Sequence, residues 1–126
     1  MGMKDMAASL ASLDEDTRRT MLGSRLEAFA SMAEEERTRA MAEMLGAVHS
    51  LSDEDHRTIV MSRTWALSQL PHDTQVTLVR SHLAALGSLH PDQRQREMGA
   101  MQAGMAALGD DAKHKVMAAM QEAQAQ

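Results

Sequence analysis

The sequence predicts an all-α fold of about seven short helices, and three observations predict it. Leu13, Met32, Leu51, Leu70, Leu89 and Leu108 stand 19 residues apart without a slip. Three residues after each comes an acid: Asp16, Glu35, Glu54, Asp73, Asp92 and Asp111. Between these markers, apolar residues recur at spacings of three and four, the signature of one helix face. Each 19-residue unit therefore holds one helix of about four turns and a short connector. Short connectors set neighbouring helices antiparallel, so two units make a helical hairpin of 38 residues. The segment Arg19 to Arg25 returns as Arg57 to Arg63 with its Arg, Thr, Ser and Arg in place, as a doubled period requires. An open α-solenoid of stacked hairpins and a compact helical bundle both satisfy this pattern.

Residues 1–12 are the expected N-terminal capping helix, with Met1, Met3, Met6 and Leu10 as its apolar residues. Six units fill 13–126, so the chain is a single helical-repeat domain. From Leu13, the acids Asp14, Glu15 and Asp16 occupy a first turn, where free N–H groups and the positive helix end favour negative charge. Met21, Leu22, Leu26 and Phe29 then form the stripe. From Met32 the acids are Glu34, Glu35 and Glu36, followed by Met41, Met44, Leu45 and Val48. From Leu51 they are Asp53, Glu54 and Asp55, followed by Ile59, Val60 and Leu67. The unit from Leu70 opens with Pro71, His72 and Asp73 and continues through Leu78, Val79, Leu83 and Leu86. The unit from Leu89 opens with His90, Pro91 and Asp92, Pro being suited to a first helical position, and its stripe is Met98, Met101 and Met105. The last unit opens with Gly109 and Asp110 and carries Val116, Met117 and Met120. Gly46, Gly87 and Gly109 fall where helices are expected to end. The period lies between tetratricopeptide and HEAT lengths, but the tetratricopeptide pattern of Trp, Leu-Gly and Tyr is absent.

Composition narrows the function classes. The chain has no Cys, which excludes disulfides, thiolate metal sites and Cys nucleophiles and suits a reducing interior. A net charge of −5 argues against nucleic acid as a partner, because phosphate binding needs surplus Lys and Arg. No stretch reaches the length of a membrane span, and Asp5 interrupts any signal-peptide core, so a cytoplasmic location is expected. Thirteen methionines and only two aromatics, Phe29 and Trp65, describe an adaptable interior.

The polar patterns point to scaffold. Glu15–Arg19, Glu35–Arg39, Asp53–Arg57, Asp92–Arg96 and Asp111–Lys115 are each four apart with the acid first, the order that pairs along a helix. Of the six histidines none is three or four residues from another, so no helix face offers a ready ligand pair. His49, His72 and His90 fall at helix ends or connectors, as solvated or capping residues, and His82 sits on a stripe as a hydrogen-bonded core histidine. There is no nucleophile elbow, phosphate loop, dinucleotide turn or HExxH, and a catalytic carboxylate is expected to break the repeat at one place. No enzyme, cofactor or metal is expected. The expected function is a non-catalytic protein-interaction module or scaffold that binds a protein or amphipathic peptide, with Trp65, Met98, Met101, Met105, Met117 and Met120 as its contact residues. The alternative is a carrier of a small molecule, lipid or soft metal between Met-rich helices, and an apolar cavity lined by Met41, Met44, Met98 and Met101 would favour it. Weakly polar terminal helices add the expectation of a homo-oligomer.

Overall fold

The computed structural model describes residues 2–125; Met1, counted in the expected cap, and Gln126 lie outside them. Among the described residues there are seven α-helices and no strand: α1 (Met3–Ser12), α2 (Glu15–Ala30), α3 (Glu34–His49), α4 (Asp53–Ser68), α5 (His72–Leu86), α6 (Pro91–Ala106) and α7 (Asp110–Gln124). None is long and apolar enough to cross a membrane.

Each of the six later helices starts two residues after the leading apolar residue of its unit. The backbone shows why. The N–H groups of Leu13, Met32, Leu51, Leu70, Leu89 and Leu108 each donate to the carbonyl three residues back, closing the preceding helix the same way every time. Asp14 then accepts from the Thr17 N–H at 2.7 Å and Ser52 from the Asp55 N–H at 3.2 Å, which satisfies donors that a helix start leaves free. Left-handed glycine has no part in the stops: among the described residues no glycine has a positive φ, and of the three expected glycines Gly87 alone ends a helix. Gly46 lies inside α3, Gly87 ends α5 in right-handed conformation, and Gly109 precedes α7 in extended conformation.

The doubled period appears in space as packing between alternate helices. Each helix lies most extensively on the one two places along, α2 on α4, α4 on α6, α3 on α5 and α5 on α7. One position of the unit binds these layers together. Arg18 donates through Nε to Ser62 Oγ at 2.8 Å, and Arg37 to Ser81 Oγ at 2.7 Å, 19 residues further on in both partners. The same side chains reach back to the leading residue's carbonyl, Arg18 to Leu13 at 2.6 Å and Arg37 to Met32 at 2.7 Å, while Gln75 reaches Leu70 at 3.1 Å. Connector carbonyls that no helix bond could reach are thereby satisfied.

Leu22, Leu26, Phe29, Leu45, Val48, Ile59 and Leu78 are buried in the main core, and Val76, Val79, Ala119 and Ala123 form a smaller cluster between α5 and α7. The stripe expected for the interior is only partly buried: Met21, Met98 and Met117 are exposed. A small residue recurs at one position of every unit, as Ala28, Ala47, Ala66, Ala85, Gly104 and Ala123, and the last four of these are buried. At Gly104, α6 comes so close to α4 that an added Cβ would stand 2.9 Å from Thr64 Oγ1 and 3.1 Å from its Cβ.

Two substitutions on α6 should therefore have opposite signs. Gly104→Ala overpacks the α4 contact at about 1–3 kcal/mol, of which helix propensity returns about 1 kcal/mol. Gly99→Ala meets nothing within 4 Å and should gain about 0.5–1 kcal/mol. Urea unfolding midpoints of the two variants check this, and a stabilised Gly104→Ala would refute the close packing.

Candidate functional site

Glu97 stands where the other units carry Met21, Ala40, Ile59, Leu78 and Val116. The fifth unit thus turns a carboxylate toward the position its sisters fill with mostly apolar side chains, and packing leaves that carboxylate 0% exposed. An unpartnered buried carboxylate would cost several kcal/mol. Four donors from three helices meet it. His49 at the end of α3 and His56 on α4 bring Nε2 to Glu97 Oε1 at 3.2 and 3.1 Å. His82 on α5 brings Nε2 to Oε2 at 3.1 Å, and Arg63 on α4 donates through Nη2 to Oε2 at 2.5 Å. An ionised carboxylate has about four lone-pair sites, so Glu97 is saturated.

Burial alone would raise the Glu97 pKa, but the Arg63 charge and the bonds from His49, His56 and His82 outweigh it and hold the group far below the carboxylate range. The carboxylate is charged. Burial pushes the His82 imidazole down, the bond to Glu97 works against that, and the Arg63 charge adds to the lowering. His82 is thus a neutral ring that donates through Nε2. His56 occupies the unit position of Arg18, Arg37 and Gln75, a donor in every case.

The ring nitrogens of His49 and His56 and the Glu97 oxygen lie within 4.8 Å of one another, a donor set that suits zinc. Charge and proton placement favour the hydrogen-bonded state instead. Arg63 already balances Glu97, and a dication would add two positive charges beside it in a medium of low dielectric constant. Arg96 Nη1 also faces His49 Nδ1 at 3.5 Å, which leaves the ring proton on Nε2, pointing at Glu97.

Arg96 and Glu97 together seat one end of α6. Arg96 donates to the carbonyls of His49 at 3.0 Å and Leu51 at 2.8 Å and pairs with Asp53 at 2.9 Å. It therefore crosses between helices and is not turned to Asp92, and Asp53 pairs with Arg96 and not with Arg57. Glu15–Arg19 does form as expected, at 2.8 Å. His49 is a correction of another kind: it ends its helix as expected, yet its side chain is wholly buried and not solvated.

Held in this way, α6 packs broadly on α4 alone, standing off from α5 and α7. The gap beneath it is a half-open apolar groove of about 400 Å3. Met98, Met101 and Met105 wall it on α6, Val116, Met117 and Met120 on α7, and Leu78, Val79 and Leu83 of α5 form the floor. Arg63 and His82 line it too, so the groove adjoins the buried cluster. The five methionines singled out in the sequence are brought together here, and Met41 joins them. Trp65 stands elsewhere, half-buried against the main core with the Arg19 guanidinium 4.3 Å over its ring. Sequence reasoning missed Glu97, His56 and Arg63, whereas His82 is the buried, hydrogen-bonded histidine that was expected. The signal that could have found them was the single carboxylate in an otherwise apolar column of the repeat.

The profile of a family described as "Protein of unknown function (DUF3106)" matches residues 2–99, a span that holds Glu97 and all four of its donors. No curated protein and no solved structure matches the chain.

Removing one member of a buried pair strands the other, so Glu97→Gln should cost about 3 kcal/mol or more, whereas exposed Glu54→Gln should stay within about 0.5 kcal/mol. The pH dependence has a definite sign. His82 binds a proton less readily folded than at its ordinary 6.5, so the unfolded chain gains the proton and stability falls as pH drops through that value. Glu97 acts lower: its contribution is present above 4.5 and is lost as pH falls below it. Urea unfolding across pH 4–8 checks both, with His82→Gln flattening the upper part only. Equimolar zinc should leave every midpoint unmoved.

Proposed function

We propose that this chain, which belongs to the DUF3106 family, is a non-catalytic carrier that holds a small apolar or amphiphilic molecule in the groove between α6 and α7. The observation that carries this reading is the groove itself. At about 400 Å3 it falls within the usual volume of small-molecule sites. Methionine suits such walls, because a flexible, polarisable side chain moulds to ligands of differing shape.

The absence of chemistry in the reading is supported by Glu97. Its acceptor sites are all taken, so it has no lone pair with which to draw a proton from a substrate. A cytoplasmic carrier is part of the proposal, and the absence of cysteine suits it. A second reading, a scaffold that binds a protein or amphipathic peptide across the groove's rim, is favoured by Met98 at 54% and Met117 at 43% exposure. The same exposure, with Met6 on α1 at 37%, supports self-association through the terminal helices as a further proposal.

Titration with N-phenyl-1-naphthylamine, a neutral fluorescent apolar probe, tests the carrier. One saturable site is expected. Met101→Glu and Met120→Glu should each weaken it at least tenfold, while Met21→Glu, exposed and away from the groove, should leave it unchanged. Absence of saturable binding, or equal loss in all three variants, would refute the carrier.

A further inference from the structure

We infer that the groove's ligand is an anionic amphiphile, such as a medium-chain carboxylate, whose head meets Arg63 and Lys113 and whose tail lies along the methionines. The inference rests on the carrier reading above and adds the chemical class of what is carried. Its first support is a bias in charge. The chain holds 18 acidic and 13 basic residues, yet Arg63 and Lys113 line the groove and no Asp or Glu does. Its second support is the state of the one carboxylate that backs the groove. Glu97 accepts from His49, His56, His82 and Arg63 and has no acceptor site left to offer.

A polar head that meets Arg63 and Lys113 therefore finds donors there and no free carboxylate. A guanidinium carries five N–H donors, and Glu97 takes Arg63 through Nη2 while the side chain remains 15% exposed. Charge balance points the same way. Arg63 and Lys113 bring two positive charges and Glu97 one negative, so an anionic head brings the site to neutrality and a cationic head adds to the surplus. In apolar surroundings that difference weighs more than it would in water. The run of methionines sets the tail. From Met98 to Met105 α6 rises about 10 Å, a span that a medium chain such as decanoate covers.

Calorimetric titration of the full chain with decanoate, 1-decanol and decyltrimethylammonium, each kept below its aggregation threshold, is the test. Decanoate should bind one to one and at least tenfold tighter than decanol, with the ammonium weakest. Lys113→Gln should reduce that preference several-fold and leave decanol binding alone. Arg63→Gln removes a partner of Glu97 and risks the fold, so Arg63→Lys, which keeps the charge but not the fork, is the companion variant and should retain the order of preference. Decanol binding as tightly as decanoate, or an unchanged ratio in Lys113→Gln, would overturn the anionic head and leave the groove standing. Failure of all three to bind would remove the carrier and this inference with it.

Discussion

A charged carboxylate in the interior is the constraint on which the rest of this structure turns. Glu97 must be given a full set of donors or it would unsettle the fold by several kcal/mol. No single helix can supply them, because side chains on one helix face lie three and four residues apart and point the same way. The donors come from α3, α4 and α5, which fixes where all three stand relative to α6. Packing alone would let α6 slide on the small residues it shares with α4. The ionic cluster removes that freedom at one end, and the contact of Gly104 with Thr64 sets the distance at the other.

The groove follows from that seat. A helix docked on α4 by polar contacts has no need to bury its opposite face, and Met98, Met101 and Met105 are left over a gap. In the four units before it the corresponding residues are buried, as Leu22, Met41, Val60 and Val79 are in the position that Met98 takes in α6, and only Met117 of the last unit shares its exposure. The fifth unit therefore departs from the four before it twice, once in charge and once in exposure. The two departures meet at Arg63 and His82, which belong to both cluster and groove.

How much of this could be read from the sequence depends on the range of the interaction involved. Helix positions are local consequences of an apolar residue and a charged first turn, so the markers from Leu13 to Leu108 placed all six starts. Pairing along one helix was legible at Glu15 and Arg19 and misleading at Asp53 and Arg96, because a long side chain at a helix start can as easily satisfy the carbonyls of another connector. The methionines of the groove were legible as a set, since they share faces of α6 and α7, but not their exposure, which depends on where a neighbouring layer stops. Glu97 was hidden for a similar reason. Its partners lie 15 to 48 residues away in the chain, and nothing in their spacing announces that four helices bring them to one point.

The way each helix ends has a consequence for how such a chain can come about. Every connector is closed by a backbone bond from a residue in an ordinary conformation, with no left-handed glycine at the junction. The joints thus demand little of residue identity beyond one apolar side chain and a donor five residues on, as Arg18, Arg37 and Gln75 supply. A stretch of gene encoding one or two units could be duplicated or lost in tandem without stranding a specialised turn, and drift could then alter one copy while the others hold the shape. A lone buried carboxylate beside an open Met-lined face is the kind of novelty that such a copy is free to acquire.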